Sequence, residues 1–173
     1  TDNAEIAAVA KIYGAEVPFL RPAEIADDQS RDLEFLQHAL AWFLKEENVV
    51  PEFLVQLRPT SPLRTGEIID DAISKMQENP AADSLRAVTK APLTPYKMWI
   101  LEEDSLLKPL LTLPNVAEPF NEPRQSLPPI HWQIGTLDVI RTSTIVEQHS
   151  VSGKSMLGLE VPAHWALDID TLD

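Results

Sequence analysis

Helical periodicity dominates the first half of the chain. Apolar residues recur every three or four positions from Asn3 to Tyr13, from about 32 to 48, and from about Glu67 onward. Gly14 is placed to end the first predicted helix, and Ser30 or Asp32 to cap the second. The side chains expected to face inward are Ile6, Val9, Ala10 and Tyr13 in the first helix and Ile69, Ala72, Ile73 and Met76 in the third.

Apolar runs between these helices predict strands. "EFLVQL" at 52–57 and "SLRAVT" at 84–89 have this character, and "AEVPFLRP" at 15–22 is expected to form a short strand that ends in a loop. Strands that alternate with helices indicate an α/β fold with a mostly parallel sheet and helices on both faces. Because ligands bind beyond the carboxyl ends of such strands, the loop at 58–65 is expected at a binding site.

The pattern changes beyond residue 90. Prolines become frequent, and "PYKMWIL", "WQIGTLDVI" and "LGLEV" resemble strands without long helices between them. We interpret residues 1–173 as a single domain and residues 90–130 as an inserted arm.

Composition narrows the class of protein. The 173 residues are 44% hydrophobic, enough for a globular core, and the formal net charge of -13 argues against a nucleic-acid partner. No cysteine is present, so thiolate metal sites and cysteine nucleophiles are excluded. No apolar run approaches the roughly 20 residues of a membrane span, and no signal peptide is visible, so we expect a cytoplasmic protein without membrane contact.

The polar loop "RPTSPLRT" carries Arg58, Thr60, Ser61 and Arg64 between prolines that stiffen it. Guanidinium and hydroxyl groups on a rigid loop suit recognition of a base or an anion, although a purely structural turn explains the same residues. The histidines show no metal-ligand spacing, Ser61 lacks the context of a hydrolase nucleophile, and a glycine-rich phosphate loop is absent from the sequence.

Two further polar positions lie in the predicted arm. Arg124 and Gln125 stand among prolines, and Lys97 lies between aromatic residues. Arg124 is suited to a bidentate contact with a carboxylate, but exposed arginines and lysines at such positions are ordinary.

The segment "WALDIDTLD" at 165–173 places two aspartates in an apolar run. In a strand, Asp168 and Asp170 would share one face with their Cα atoms roughly 6.5 Å apart. Carboxylates that close repel each other unless solvent or a cation compensates. The alternative interpretation is a strand end at which Asp170 or Thr171 caps a following helix.

Together these segments resemble the acylneuraminate cytidylyltransferase family, whose members make CMP-activated sialic and related nonulosonic acids. The matching stretches are "TDNAEIAAVAKIYGAEVPFLRPAE" (1–24), "LRPTSPLRTGEIIDDAI" (57–73), "ADSLRAVTKAP" (82–92), "EPFNEPRQSLPP" (118–129), "WQIGTLDVIRTSTI" (132–145) and "ALDIDTLD" (166–173). Their common order along nearly the entire chain makes a chance match improbable.

The resemblance implies a Rossmann-like nucleotidyltransferase fold and a homodimer in which an arm of each subunit reaches toward the partner. It implies transfer of CMP from CTP to the anomeric hydroxyl of an acidic nine-carbon sugar, with release of pyrophosphate. It also implies that Asp168 and Asp170 bind Mg²⁺ and that Lys97 and Arg124 on the arm approach the acidic sugar in the neighbouring subunit. Gln125 is expected to bind substrate as well, and the loop from Arg58 to Arg64 is expected to line the sugar site.

Departures from the family pattern leave the identity of the acidic sugar substrate undetermined. Some sialic acid enzymes have glutamine at the position of Arg58 and asparagine at that of Ile134, and Asp138 stands at an aromatic position. The family's phosphate-binding segment is expected before Thr1, so we expect little transferase activity from these 173 residues alone. A cytidylyltransferase for 3-deoxy-manno-octulosonate and a non-catalytic dimerisation or binding module remain the alternatives.

Overall fold

A computed structural model of the protein describes residues 1–169. This part of the chain divides into two compact units. The first comprises Thr1–Gln56, Glu67–Leu85 and Asp138–Leu157, and the second comprises Leu57–Gly66, Arg86–Leu137 and the described residues from Gly158 onward.

The three helices that the periodicity predicted in the first half of the chain are present, and so are the strands predicted at 52–57 and 84–89. The α-helices are α1 (Ala4–Ile12), α2 (Asp32–Trp42), α3 (Gly66–Glu78) and α4 (Thr142–Glu147). The strands are β1 (Phe53–Gln56), β2 (Ser84–Lys90), β3 (Trp99–Leu101), β4 (Leu107–Pro109), β5 (His131–Arg141) and β6 (Met156–Glu160).

The main sheet has four strands in the order β1-β5-β2-β6. Strand β5 is antiparallel to β1, with Phe53 opposite Arg141 and Gln56 opposite Asp138. It also runs antiparallel to β2, because hydrogen bonds join Arg141 N to Asp83 O at one end and Ala91 N to Ile130 O at the other. The bonds from Asp83 N to Ser155 O and from Val161 N to Val88 O give β2 and β6 a parallel pairing.

The α/β fold is confirmed, but the pairing differs from the mostly parallel sheet that we expected. The expected β1-α3-β2 unit is present, and its two strands run in the same direction. They are not neighbours, however, because β5 lies between them and is antiparallel to both. The reason is the long excursion from 91 to 130, which returns the chain to the sheet in the opposite direction.

The first unit has an apolar core built on α2. Leu36 and Leu40 of α2 pack with Ile140 of β5 and Ile145 of α4, and Leu54 of β1 lies against this cluster. Full burial of a leucine or isoleucine side chain stabilises a fold by about 1.5–3 kcal/mol. These contacts therefore hold α2 and α4 against the end of the sheet that carries Leu54 and Ile140.

Helix α1 forms as predicted, but its predicted inward face is wrong. The Asn3 side chain accepts hydrogen bonds from Glu5 N and Ile6 N, which satisfies two backbone donors at the start of the helix. Ile6 is 58% exposed and Tyr13 is 87% exposed, whereas Ala7 is buried. The spacing of apolar residues thus located the helix but not the side that is covered.

Two further local predictions fail for identifiable reasons. Residues 15–22 form no strand, because Pro18 and Pro22 each lack the N–H that a ladder needs. Ser30 does not cap α2. Its hydroxyl instead bonds the Asp27 carboxylate at 2.9 Å, and the Glu34 carboxylate at the start of the helix accepts from Arg31 N.

The predicted arm contains a small hairpin within the second unit. Strands β3 and β4 pair antiparallel, with Trp99 opposite Pro109 and Leu101 opposite Leu107. The Trp99 ring also packs against Phe120, at a centroid distance of 4.6 Å. Across residues 1–169, no helix combines the length and the apolar character needed to span a membrane.

Candidate functional site

The predicted site residues that the structure describes all lie in the second unit, in two groups. The first group is on the turn after β1 and on the segment after β6, and comprises Arg58, Thr60, Ser61, Arg64 and Asp168. The second group is on the arm and comprises Lys97, Arg124 and Gln125.

The turn from Arg58 to Arg64 is closed by its own side chain and backbone. The Arg64 guanidinium donates through Nη2 to the carbonyl oxygens of Arg58 and Ser61. Ser61 N also donates to Arg58 O at 3.2 Å. Burial lowers the pKa of Arg64 from its usual value, but an arginine remains charged at neutral pH. The turn is therefore a rigid element with a half-buried cation at its centre.

Ser61 connects this turn to Asp168. Its side chain is 1% exposed, and its Oγ donates to Asp168 Oδ1 at 3.3 Å. A second contact follows in the backbone, where Ile169 N donates to Thr60 O at 2.8 Å. These two bonds hold the Asp168 segment against the turn, although 107 residues separate Ser61 from Asp168.

Gly135 of β5 makes room for this arrangement and was missed as a site residue. A Cβ at Gly135 would lie 2.3 Å from Ser61 Oγ and 3.0 Å from Arg58 Cδ. The sequence did carry a signal, since an isolated glycine within a strand often marks the close approach of another segment. The partner segment could not be named without the fold.

The acidic pair predicted to bind Mg²⁺ is described only in part. Asp168 is exposed and lies in a stretch, 166–169, without regular structure, so the expected strand geometry does not occur there. Asp170 lies outside the described residues. Carboxylate oxygens are the ligands that Mg²⁺ prefers, so the donor chemistry of Asp168 fits the ion. Among residues 1–169 no cluster of three or more acidic or histidine side chains is placed to hold a metal.

The arm residues lie around two adjoining cavities. The larger, about 590 Å³, has Lys90, Arg124, Gln125, Pro128 and Pro129 in its lining. Lys97 and Arg124 both line the smaller cavity of about 170 Å³. Arg124 also donates through Nη2 to Ala91 O at 2.8 Å, which fixes the guanidinium at the rim of both cavities. Arg124 thus lines both cavities, with Gln125 in the larger and Lys97 in the smaller, and its guanidinium chemistry is suited to an anionic ligand.

Comparisons with known proteins find similar sequences among curated proteins. No family model matches the chain. A CMP-N,N'-diacetyllegionaminic acid synthase of Legionella pneumophila is 28% identical over 181 residues, covering 96% of this chain and 73% of that protein. An N-acylneuraminate cytidylyltransferase of Escherichia coli O18:K1:H7 is 33% identical over 91 residues, covering 53% of this chain but only 20% of that protein.

A solved structure supports the same grouping at the level of the fold. It is the CMP:2-keto-3-deoxy-manno-octonic acid synthetase complexed with CTP, which matches with a TM-score of 0.58 at 10% identity and covers 94% of this chain and 70% of that one. The Rossmann-like nucleotidyltransferase fold expected from the sequence is therefore confirmed. The chain is thus similar in sequence to acylneuraminate and legionaminic acid cytidylyltransferases, which is the resemblance that its collinear motifs indicated.

Proposed function

We propose that the full-length protein transfers CMP from CTP to the anomeric hydroxyl of a sialic-acid-like 2-keto sugar acid and releases pyrophosphate. The observation that carries this proposal is the alignment of 96% of the chain with a CMP-N,N'-diacetyllegionaminic acid synthase. The reaction breaks the bond between the α- and β-phosphates of CTP and forms a bond from the sugar oxygen to the α-phosphorus. Negative charge grows on phosphate oxygens as this happens, so the site needs positioned cationic groups.

The arm group supplies cations for the sugar acid. Arg124, held by its bond to Ala91 O, presents the remainder of its guanidinium at the cavity edge, and Lys97 lines the same rim. A guanidinium binds a carboxylate through two parallel hydrogen bonds, which orients the sugar as well as attracting it. Gln125 lines the larger cavity and offers an amide for the sugar hydroxyls.

Asp168, in the turn group, belongs to the acidic pair that we assign to a metal ion. Asp168 and Asp170 would hold Mg²⁺, which when bound neutralises charge on the triphosphate and polarises the phosphoryl group. Arg58 and Thr60 are the residues of this turn that we assign to substrate contact. We further propose that the protein is a homodimer that works in the cytoplasm.

The decisive experiment measures pyrophosphate release by the full-length protein with CTP, Mg²⁺ and a panel of acidic sugars. The panel contains N-acetylneuraminate, legionaminate, pseudaminate and 3-deoxy-manno-octulosonate, with a reaction lacking any sugar as the blank. We expect sugar-dependent release with at least one nine-carbon acid. Turnover with the octulosonate alone would reassign the substrate, and no release with any acid would reject the proposal.

A single substitution tests whether the arm contacts the sugar acid. Arg124→Ala is expected to raise the KM for the sugar acid at least tenfold, because a charge-assisted contact contributes about 1.5–3 kcal/mol. Arg31→Ala, which removes an exposed arginine next to α2 in the first unit, is the matched control and should leave KM unchanged. An unchanged KM in Arg124→Ala would exclude Arg124 from the sugar site.

A further inference from the structure

In the turn from Arg58 to Arg64, the Arg64 guanidinium forms hydrogen bonds within the turn itself. Both N–H groups on Nη2 of Arg64 are oriented to carbonyl oxygens of the turn, those of Arg58 and Ser61. A guanidinium used in this way has fewer donors left for an outside anion. Because these two bonds join the carbonyl groups of Arg58 and Ser61 through one guanidinium, they hold the Ser61 end of the turn in place.

Ser61 is equally unsuited to contact a sugar. Its side chain is 1% exposed, so a ligand arriving from solvent has almost no access to it. A serine hydroxyl has one proton, and the Ser61 proton is donated to Asp168 Oδ1 at 3.3 Å. The absence of a side chain at Gly135 is what allows the hydroxyl to lie there, since a Cβ would come within 2.3 Å of Oγ.

Asp168 is held from two sides by the same turn. The Ser61 hydroxyl bonds its carboxylate, and the next residue, Ile169, bonds Thr60 O through its backbone at 2.8 Å. A carboxylate on a segment without regular structure has several rotamers open to it. The bond from Ser61 favours the rotamer that directs Oδ1 to the turn and so sets the direction of Oδ2.

We propose that Ser61 is a positioning residue that orients the Asp168 carboxylate for a divalent cation, with Arg64 and Gly135 keeping Ser61 in place. This inference rests on the proposed function, in which Asp168 is a Mg²⁺ ligand, and it replaces the expected role of Ser61 and Arg64 as substrate contacts. Hydrogen-bond partners of metal ligands commonly change metal affinity by about 10–100-fold when they are removed.

The first test measures metal affinity. Mn²⁺ binding to the full-length protein is followed by electron paramagnetic resonance for the wild type, Ser61→Ala, Asp168→Ala and Ser84→Ala. Ser84 is the matched control, because it is 2% exposed and its Oγ also donates a hydrogen bond, to Ser152 O at 2.6 Å, in the first unit. We expect at least tenfold weaker binding in Ser61→Ala, a larger loss in Asp168→Ala and no change in Ser84→Ala.

Wild-type affinity in Ser61→Ala, together with a loss in Asp168→Ala, would overturn the positioning role and leave the metal site intact. Wild-type affinity in Asp168→Ala would overturn the inference and the assignment of Asp168 as a ligand. The proposed function would still stand in either case if sugar-dependent pyrophosphate release were observed, so the two failures are distinguishable.

The second test separates positioning from substrate contact. If Ser61 orients a metal ligand, the activity lost in Ser61→Ala should return as the Mg²⁺ concentration is raised, with the KM for the sugar acid near the wild-type value at saturating Mg²⁺. A raised sugar KM that no Mg²⁺ concentration corrects would show that Ser61 contacts the sugar and would refute the proposal.

Discussion

Gly135 determines how closely the turn from Arg58 to Arg64 approaches strand β5. The space that a Cβ would need is taken by Ser61 Oγ at 2.3 Å and Arg58 Cδ at 3.0 Å. Cδ of Arg58 belongs to a long side chain, whereas the Ser61 side chain is short and buried and its turn is closed by Arg64. A methyl group at 135 must therefore displace the turn or leave the strand strained.

Gly135→Ala is expected to lower the free energy of unfolding by about 1–3 kcal/mol, the usual cost of overpacking a filled site. Gly158→Ala in β6 is the matched control, because its new Cβ would meet Val88 Cγ2 at 3.5 Å, an ordinary contact. Urea unfolding of both variants measures the difference. Equal free energies of unfolding for Gly135→Ala and the wild type would mean that the turn moves to accommodate the methyl group without loss of stability.

At the scale of elements, Asp83 joins the start of β2 to the loop that leads into β6. Its Oδ2 accepts from Lys154 N at 2.7 Å and from Ser155 N at 2.9 Å, and its Oδ1 accepts from Gln148 Nε2 at 2.7 Å. Gly153 has a φ of +70°, and a Cβ there would lie 2.2 Å from Asp83 Cβ, so the loop passes directly over the carboxylate. The backbone hydrogen bonds from Ser155 and Lys154, and then that from Gln148, lower the pKa of Asp83 from its usual 3.8.

The pH dependence of stability follows from that direction. Because the folded state lowers the pKa, ionised Asp83 stabilises the fold above pH 3.8, and this contribution is lost as the pH falls through the lower folded value. Asp83→Asn places an amide N–H₂ among backbone donors, so the variant should be less stable than the wild type at pH 7. The difference between their urea midpoints should shrink below pH 3.8. Asp71→Asn, on the exposed side of α3, is the control and should be near wild type; a pH-independent difference for Asp83→Asn would contradict the account.

At the scale of the whole molecule, the proposed dimer needs an apolar surface that the monomer leaves uncovered. The hairpin offers one, since Leu101 is 70% exposed and its cross-strand partner Leu107 is 57% exposed. Exposed apolar side chains that lie together on one element are typical of protein–protein contacts.

Sedimentation velocity tests the proposed dimer. The wild type is expected to sediment as a dimer, and the double variant Leu101→Lys/Leu107→Lys as a monomer with an unchanged unfolding midpoint, because neither leucine is buried within the subunit. Ile12→Lys is the matched control, since Ile12 is 80% exposed on α1 in the first unit and should leave the dimer intact. A dimer that survives in the double variant would remove the hairpin from the interface.

The sequence by itself determined where most helices and strands lie and which group of enzymes the protein resembles. Periodicity and apolar runs located α1, α3, β1 and β2, because the interval at which side chains return to one face, about 3.6 residues in a helix and two in a strand, is a property of each element alone. Motif order along the chain indicated the cytidylyltransferase homologues, which the comparisons confirmed. The loop at 58–65 was expected at a site because it follows β1 directly.

Only the tertiary structure decided which distant segments each element packs against. The insertion of β5 between β1 and β2, the exposed side of α1 and the bond from Ser61 to Asp168 all depend on segments far apart in sequence. Periodicity carries no information on which distant segment will cover a given face. The sequence therefore indicated Ser61 only as an expected substrate contact, whereas the fold shows that its hydroxyl is buried beside Gly135 and donates to the Asp168 carboxylate.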